Sequence, residues 1–369
     1  MQIAVAIPCF RVTRHVLEVI AAVPPGVARI YAVDDACPDG SGAFIEARCR
    51  DPRVQVLRHM QNQGVGGAVL TAYRQALADG MDIVVKIDGD GQMDPRLIPQ
   101  FVAPILQGRA DYTKGNRFFR PESVLGMPPV RLFGNAVLSF VTKLSCGYWP
   151  LMDPTNGYTA VHTRVLRELP LDKIERRYFF ETDMLFRLNT VRAVVKDVPM
   201  DAVYADEVSH LNVRKVVPEF LAKHWSRWWR RYAYSYLVRD FNPGTVYSVA
   251  GLLMLLSGLI FGVAHWIGSA LSGQPASSGT VMLAALPVLI GIQFLIAFLH
   301  YDVDSVPTEP LSTILGHEPP FHELPAAAGQ PAVARPDAGR PRPESTTAEP
   351  DDLSATLHRR ADGGGAARL

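Results

Sequence analysis

The segment Asp88-Gly89-Asp90-Gly91-Gln92 places two carboxylates two residues apart, directly after an apolar stretch. Carboxylate oxygens at that spacing can share one divalent cation, and hard oxygen ligands suit Mg²⁺ or Mn²⁺. A cation in this position would neutralise a diphosphate and stabilise its departure. A turn rich in Asp and Gly is the alternative interpretation of the same residues. An EF-hand is excluded, because no glutamate follows at the spacing that such a calcium loop requires.

Two other polar segments precede this one and could contact a nucleotide. Asp34 and Asp35 end a predicted strand, where the acids of dinucleotide-binding folds meet a ribose; a helix cap or turn is the alternative. Residues 62–68 (NQGVGGA) lie between a predicted strand and a predicted helix. Their glycines would allow the backbone to approach phosphate or sugar closely. The segment is neither a P-loop nor a complete G-x-G-x-x-G fingerprint, so it is a weak signal by itself.

Alternating strand and helix patterns surround these segments. In residues 1–115 we predict strands at Ile3–Ile7, Ala28–Val33, Val54–Leu57, Met81–Ile87 and near Ala110–Thr113, and helices at Thr13–Val23, Gly66–Ala78 and about Pro95–Leu106. A less regular region adds helices at Val130–Cys146 and Glu181–Val191 and strands at Tyr158–His162 and Ala193–Pro199. This alternation predicts an α/β fold with a mostly parallel sheet and helices on both faces. Ligands of such sheets bind at the carboxyl ends of the strands, where the polar segments fall.

Two long apolar segments follow in the C-terminal third. Thr245–Ile267 and Thr280–Leu299 contain no Asp, Glu, Lys or Arg. Each is long enough to cross a hydrocarbon core about 30 Å thick at a rise of about 1.5 Å per residue. Two buried core helices are the alternative, although core helices are rarely so long and apolar on every face.

The segment before the first apolar stretch is basic and aromatic. From Arg214 to Asp240 it holds seven Lys or Arg residues against two acids, with three Trp and three Tyr residues interleaved. Such residues favour the cytoplasmic interface of a membrane; an ordinary amphipathic helix packed on the domain is compatible with the same pattern. The loop Gly268–Gly279 carries no charge. The positive-inside rule therefore predicts an integral membrane protein whose N-terminal domain is cytoplasmic.

These patterns predict four regions. They are a catalytic α/β domain at 1–207, amphipathic interfacial helices at 208–242, a two-helix transmembrane hairpin at 243–301 and a cytoplasmic tail at 302–369. From about residue 319 the tail is rich in Pro, Ala, Gly and charge, which predicts disorder.

Composition excludes several other classes. The 37 Lys and Arg residues balance 36 Asp and Glu residues, so a generally basic nucleic-acid-binding protein is excluded. The four cysteines are widely spaced and form no C-x-x-C pattern or Cys/His cluster, which argues against zinc and predicts reduced thiols; they are Cys9, Cys37, Cys49 and Cys146.

Taken together, the motifs resemble those of the family-2 glycosyltransferases of the GT-A fold. The resemblance rests on an ordered series over about residues 1–240: IPCF at 7–10, Asp34-Asp35, NQGVG at 62–66, DGDGQMDP at 88–95 and GNRF at 115–118. The series is most similar to the dolichol-phosphate mannose synthases and the bacterial polyprenyl-phosphate glycosyltransferases. That resemblance implies an inverting transfer of a hexose from a UDP- or GDP-sugar to a polyprenyl phosphate. The resemblance is also compatible with a protein that forms a homo-oligomer.

The resemblance also implies roles for single residues. It assigns nucleotide-sugar contacts to Pro8, Asp34, Asp35, Asn62, Gly66 and Asp88. It assigns a Mg²⁺ or Mn²⁺ site to Asp88, Asp90 and Gln92, with Gln92 also available to the sugar or phosphate. It assigns the acceptor phosphate to Arg117, because a planar guanidinium suits bidentate phosphate binding. The residues Cys9-Phe10 and Asn62-Gln63 depart from the family pattern, so the base and sugar of the donor are not predicted.

The chemistry of the acceptor decides what else the site needs. A sugar hydroxyl must lose a proton to a base, whereas a phosphate monoester with a second pKa of about 6 is already anionic. A phosphate acceptor needs orientation and charge neutralisation, which predicts a basic clamp of Arg117 and Arg131. Asp183 opens a helix in the segment FFETD at the place where family-2 enzymes can carry a base. We include Asp183 in the predicted catalytic set and expect it to position groups rather than abstract a proton.

Two other hypotheses remain open. A processive polysaccharide synthase is suggested by HWSRW at 224–228, which is close to the Q-x-x-R-W motif with His224 in place of Gln. Asp183 would then be the base, but two apolar segments are too few to form a polymer channel. A catalytically silent membrane scaffold is the other hypothesis, and the intact pair of Asp88 and Asp90 argues against it.

Overall fold

The computed structural model describes residues 1–120, 129–201 and 213–316, except for the side chains of 129–131 and 213–216. The side chain of Arg131, the tail from 317 onwards and its predicted disorder therefore lie outside the described residues. The strands are β1 Ile3–Cys9, β2 Arg29–Asp34, β3 Val54–Arg58, β4 Ile83–Lys86, β5 Tyr112–Asn116, β6 Thr159–His162 and β7 Val195–Pro199. The helices are α1 Val16–Ala21, α2 Ser41–Arg48, α3 Val65–Ala78, α4 Ile98–Leu106, α5 Pro129–Cys146, α6 Thr163–Glu168, α7 Phe180–Thr190, α8 Val213–Tyr232, α9 Pro243–Ser272, α10 Ser278–Asp304 and α11 Leu311–Ile314.

The described strands form one sheet in the order β3-β2-β1-β4-β6-β5-β7. Strands β1 to β5 and β7 run in one direction, and β6 runs against both of its neighbours, β4 and β5. The predicted α/β fold with a mostly parallel sheet is confirmed. The reversed direction of β6 was not predicted, because a short apolar strand between two longer connections does not reveal its direction.

Helices cover both faces of the sheet, which explains why the central strand β1 (IAVAIPC) is apolar throughout. On β1, Ala4 and Ala6 face one buried cluster, which contains residues of α3, α6 and α7. Val5 and Ile7 face the other cluster, which contains residues of α1 and α4. The sheet is thus buried on both sides, and its edges are the places where polar groups can meet a substrate.

The helices α9 and α10 form an antiparallel hairpin. Their most apolar windows have mean hydropathies of 2.1 and 2.5, and only 17% and 6% of those windows are buried. The alternative of two buried core helices is therefore wrong. The helices pack closely through glycine: a Cβ atom on Gly258 would lie 2.9 Å from the carbonyl oxygen of Ala284, and one on Gly291 would lie 2.6 Å from the nitrogen of Leu255. Both helices are long and apolar enough to cross a membrane.

The hairpin leaves the α/β domain and returns to it. α9 follows a π-helical turn at Ala233–Val238 and begins with a capping box between Asn242 and Thr245. After α10, the backbone nitrogens of Leu311 and Ser312 donate hydrogen bonds of 2.8 and 2.7 Å to the carboxylate of Asp111, in the domain. Both ends of the hairpin therefore lie on the side of the α/β domain.

Candidate active site

The polar segments meet at one edge of the sheet. Strands β1, β2, β4 and β5 point the same way, so their carboxyl ends share that edge. Pro8, a predicted nucleotide contact, is the last residue but one of β1 and is paired in register with Val33 of β2. The carboxyl edge is therefore where the chemistry of the chain is concentrated.

The acidic segment follows β4 directly. Gly89 is packed so that a Cβ atom would lie 3.3 Å from Ile7, and Gly91 has a φ of +82° that favours glycine. The backbone nitrogen of Gln92 donates a 3.0 Å hydrogen bond to Oδ1 of Asp90. The side chain of Asp88 is 29% exposed. The segment folds as a tight loop that keeps Asp88, Asp90 and Gln92 together at the edge.

A buried lysine lies beneath Asp88. Nζ of Lys86 is 3.0 Å from Oδ1 of Asp88 and 3.3 Å from Oε1 of Glu181, at the start of α7. Burial disfavours the ammonium, but the two carboxylates outweigh burial and raise the pKa of Lys86 above its usual value. Burial also raises the pKa of Glu181. Any Cβ atom on Gly157 would overlap the ammonium, so glycine makes room for it.

Sequence reasoning missed both Lys86 and Glu181. The available signal was a single lysine inside the apolar strand sequence IVVKI, since a buried charge requires a partner. Among the residues that the structure describes, no group of three His, Cys, Asp or Glu side chains could hold a metal. A cation at Asp88 and Asp90 would therefore rely on a carboxylate pair, an arrangement that Mg²⁺ accepts when substrate phosphates complete its shell.

The first acid of the Asp34-Asp35 pair holds the loop before α2. Its Oδ1 accepts a 2.8 Å hydrogen bond from the nitrogen of Cys37, and its Oδ2 accepts a 2.7 Å bond from the nitrogen of Gly42. Asp34 is only 8% exposed. In this structure its carboxylate fixes local backbone, and its contact with a nucleotide stays a prediction.

The second acid holds the glycine-containing loop before α3. Oδ1 and Oδ2 of Asp35 accept 2.8 Å hydrogen bonds from the nitrogens of Gln63 and Gly64. Nδ1 of His59 lies 2.7 Å from Oδ1, and Nδ2 of Asn62 donates to the backbone oxygen of Asp35 at 3.1 Å. Asp35 therefore brings β2 and the predicted donor loop together. Gly66, in the first turn of α3, is packed so closely on Phe180 that a Cβ atom would lie 2.7 Å from its ring.

Arg117 forms a bidentate ion pair at the end of β5. Its Nε donates to Oδ2 of Asp153 at 2.7 Å, and its Nη2 donates to Oδ1 at 2.8 Å. The arginine side chain is 32% exposed, and the aspartate side chain is 1% exposed. Burial opposes the charge of Asp153, but Arg117 outweighs burial and lowers the pKa of that carboxyl. Asp153 thereby fixes the direction of the guanidinium, which sequence reasoning assigned to the acceptor phosphate.

A second buried lysine secures the loop that carries Asp153. Nζ of Lys114 donates to the backbone oxygens of Met152 and Asp153 at 2.6 and 2.7 Å. The same Nζ is 3.2 Å from Oδ1 of Asp197, and Oδ2 of Asp197 accepts a 2.8 Å bond from the nitrogen of Met152. Burial lowers the pKa of Lys114. The end of the loop at Asp153 is thus held to β5 and β7.

Asp183 has no exposed surface in this structure. It is fully buried; its Oδ1 accepts a 2.6 Å bond from Nε of Arg227, and its Oδ2 accepts a 3.1 Å bond from Nε of Arg187. Oδ2 also accepts from the nitrogen of Glu175 at 2.9 Å. This geometry joins α7 to α8 and gives no support to the inclusion of Asp183 among residues that touch a substrate.

The HWSRW motif also packs α8 on the domain. Nδ1 of His224 lies 2.8 Å from Oγ of Ser145, and its ring meets the ring of Phe179 edge to face at 5.0 Å. Burial lowers the pKa of His224 to about 4. Arg227 of the same motif pairs with Asp183. The residues that resemble a polymer synthase motif therefore join α8 to α5 and α7.

Two helices present an apolar face to the outside. On α5 the exposed side chains are Leu132, Phe133, Val137 and Phe140; on α8 they are Val217, Leu221, Trp225 and Trp229. We call these residues the apolar face. Of the cations of α8, Lys223, Arg227 and Arg231 instead pair inwards with Glu175, Asp183 and Asp302. The expectation that the basic residues of this segment serve the membrane surface is thus corrected for these three.

Comparison with known proteins places this geometry in context. The sequence model of glycosyl transferase family 2 matches residues 5–170. The chain is 32% identical over 176 residues to an undecaprenyl-phosphate mannosyltransferase of Micrococcus luteus, covering 47% of this chain and 71% of that protein. It is 32% identical over 154 residues to a UDP-N-acetylglucosamine–dolichyl-phosphate N-acetylglucosaminyltransferase of Methanococcus voltae, covering 42% and 61%.

A solved structure is also similar. It is the crystal structure of glucosyl-3-phosphoglycerate synthase from Mycobacterium tuberculosis in complex with uridine diphosphate. The TM-score is 0.47 with 19% sequence identity, and the similarity covers 62% of this chain and 79% of that one.

Proposed function

Because the chain belongs to glycosyl transferase family 2 and is a glycosyltransferase, we propose that it moves a hexose from a nucleotide diphosphate sugar to a polyprenyl phosphate, with inversion. The observation that carries this proposal is the position of Arg117. Its partner Asp153 belongs to the loop that follows α5, one of the two helices of the apolar face. The same loop packs on the apolar face, because the ring of Trp149 meets the ring of Phe140 edge to face at 6.3 Å, so one loop connects a cation for a phosphate to a surface for a lipid chain.

The donor binds at the carboxyl edge between β1, β2 and β4. Asp34 and Asp35 fix the loops on either side, which leaves Pro8, Asn62 and Gly66 to line the nucleotide and sugar. Asp88, Asp90 and Gln92 fit a Mg²⁺ or Mn²⁺ ion, because one tight loop carries three oxygen-bearing side chains and the side chain of Asp88, although paired with Lys86 through Oδ1, is 29% exposed. When bound, such an ion supplies charge neutralisation to the departing diphosphate.

The acceptor phosphate binds at Arg117, and Arg131, whose side chain lies outside the described residues, stays the predicted second member of the clamp. One edge of the Arg117 guanidinium is held by Asp153. This contact orients the guanidinium before the phosphate arrives, so little side-chain entropy remains to be lost. The phosphate is already anionic near neutral pH, and its oxygen attacks the anomeric carbon without transferring a proton to the protein.

We propose that this site lies at a membrane surface, and the apolar face and the hairpin support this placement. Side chains of the apolar face, among them the aromatic residues Trp225, Trp229 and Phe133, enter the membrane interface. The helices α9 and α10 cross the bilayer. The uncharged loop between these helices is on the far side, so the catalytic domain is cytoplasmic. A lipid-linked phosphate then reaches Arg117 while its chain stays in the membrane.

The polysaccharide synthase is disfavoured by the environment of Asp183. A hydroxyl acceptor needs a base with an accessible lone pair. Asp183 is fully buried and accepts hydrogen bonds from two arginines. Asp183 is therefore not accessible as the base on which the synthase hypothesis depends.

The test is transfer by membranes that contain the protein. They are incubated with radiolabelled UDP- and GDP-sugars, Mn²⁺ or Mg²⁺, and a short polyprenyl phosphate. The proposal expects a labelled product that is extracted into organic solvent, with Asp88→Asn membranes as the blank. An insoluble labelled polymer would support the synthase instead, and no metal-dependent turnover with any donor would support a silent scaffold.

A further inference from the structure

A buried carboxylate at the end of the hairpin gathers donors from three other segments. Asp302, near the end of α10, accepts bonds of 2.6 and 3.0 Å from Nη1 and Nη2 of Arg231 on α8. Nε1 of Trp149 donates to its Oδ2 at 2.9 Å, and the hydroxyl of Tyr236 donates to its Oδ1. Asp302 is 4% exposed. Burying a carboxylate costs free energy unless it is paired, and here both oxygens of Asp302 accept hydrogen bonds.

Trp149 belongs to the loop that holds Arg117. The loop runs from Gly147 to Asp153, between α5 and β6. At one end, Gly147 lies so close to Arg231 that a Cβ atom would be 2.8 Å from its Nη1, and Trp149 bonds to Asp302. At the other end, Asp153 bonds to Arg117. Only three residues separate Trp149 from Asp153.

We propose that Asp302 is a positioning residue for the acceptor site, acting through Trp149 and the 147–153 loop on Arg117. The membrane hairpin then sets the place of the guanidinium that receives the lipid phosphate. Lys114 and Asp197 hold the Asp153 end of the loop to the sheet, and Asp302 holds the other end to α10. The loop is fixed from both sides, so a change at either end alters the direction of Arg117.

This inference rests on the proposed function, since it concerns the same acceptor site. It goes further by assigning a role in the reaction to a residue of the hairpin, outside the catalytic domain. A purely structural role for Asp302 would affect the donor and the acceptor alike. A positioning role affects the acceptor alone.

The experiment compares Trp149→Phe and Asp302→Asn with wild type in detergent micelles, with farnesyl phosphate as acceptor and the nucleotide sugar that the transfer assay of the proposed function selects as donor. Trp149→Phe keeps an aromatic ring to pack on Phe140 and removes the N–H donor together with part of the indole volume. Asp304→Asn is the matched control, because Asp304 is on the same helix, 67% exposed, and pairs only with the exposed His300 among the described residues. We expect the KM for farnesyl phosphate to rise about five- to tenfold in the two test variants, as for the loss of one charge-assisted hydrogen bond. The KM for the donor stays unchanged, and the control behaves as wild type.

A double-mutant cycle decides whether the effect passes through Arg117. In an Arg117→Ala background, Trp149→Phe should raise the acceptor KM no further, because coupled residues do not add. Full additivity, a wild-type acceptor KM in both variants, or an equal rise in the donor KM would overturn the inference. If Asp302→Asn does not fold, Trp149→Phe still decides. A wild-type protein that transfers nothing to any polyprenyl phosphate overturns the proposed function as well, whereas active wild type with unaffected variants overturns only this inference.

Discussion

Two acidic regions of the molecule look alike in sequence and differ in structure. At the carboxyl edge, Asp88 and Asp90 lie in a tight loop, with the side chain of Asp88 29% exposed above Lys86. Between α7 and α8, Asp183 is fully buried, and both of its oxygens accept hydrogen bonds from arginines. The first arrangement leaves the side chain of Asp88 partly exposed to a ligand, and the second uses both oxygens of Asp183 to join two helices. Whether an acid acts on a substrate or on the fold therefore depends on how many of its lone pairs the protein already occupies.

The sharpest test of this difference is Asp90→Asn. We expect transfer to fall about 10²- to 10³-fold, as for the loss of a charge that stabilises a leaving group, with thermal unfolding close to wild type. The matched control is Asp94→Asn in the same segment, because Asp94 bonds to the exposed Arg96 and lies outside the acid pair. Control turnover should be normal. Retention of more than about a tenth of wild-type transfer by Asp90→Asn would contradict the assignment.

Asp183→Asn should give the opposite result. Removing one partner of a buried ion pair typically costs about 3–5 kcal/mol, which lowers the unfolding temperature by roughly 10 °C in a domain of this size. Turnover per folded molecule at low temperature should stay within about twofold of wild type. A variant that is stable but inactive would show that Asp183 works on the substrate and would favour the hydroxyl-acceptor hypothesis.

Arg117→Lys lies between these two cases, because Arg117 contacts both the fold and the proposed substrate. Lysine keeps the charge and loses the bidentate geometry, so we expect the KM for the polyprenyl phosphate to rise about tenfold. The KM for the donor should not change. The control is Arg120→Lys on the same loop, since Arg120 is 63% exposed and pairs with the exposed Asp201. A rise in the donor KM would move Arg117 to the donor side of the site.

The smallest expected effect concerns His224 and the pH dependence of stability. Burial lowers its pKa to about 4 in the folded protein, against about 6.5 in the unfolded chain. The unfolded state therefore binds the proton first, and stability falls as pH decreases from about 6.5 towards 4, by about 2 kcal/mol between pH 7 and 5. His224→Gln should flatten the change in unfolding temperature over that range. An unchanged pH profile in this variant would show that His224 does not cause the dependence.

Much of the fold was predictable from the sequence. The strands before the polar segments, such as Ile83–Lys86 before Asp88, are apolar runs of the right length, and the two charge-free segments predict the hairpin. The alternation of strands and helices also predicts that the motifs share one edge. The parts that depend on local pattern alone were therefore accessible.

The parts that depend on contacts between distant residues were not. Glu181 is 95 residues from Lys86, and no spacing rule connects them. Asp183 and Asp153 belong to similar short polar segments, and only their partners, Arg227 and Arg117, show that one joins helices and the other orients a guanidinium. The role of Asp302 required the hairpin to fold back on the domain. Sequence reasoning identifies acids in a loop, but it does not count the donors that reach them.

The reversed direction of β6 has a consequence for how new specificities arise. In a parallel strand the loop after the strand reaches the carboxyl edge, but beside β6 it is the preceding loop, 147–157, that does so. The proposed donor segments follow β1, β2 and β4, so the loop that carries Asp153, the partner of the proposed acceptor residue Arg117, is an independent piece of chain that enters from the other end of a strand. Evolution can exchange residues 147–153 of that piece without disturbing the nucleotide pocket, provided that Gly157, which makes room for the ammonium of Lys86 beneath Asp88, is kept. Loop grafts between relatives that share a donor are thus a direct route to enzymes with a new acceptor.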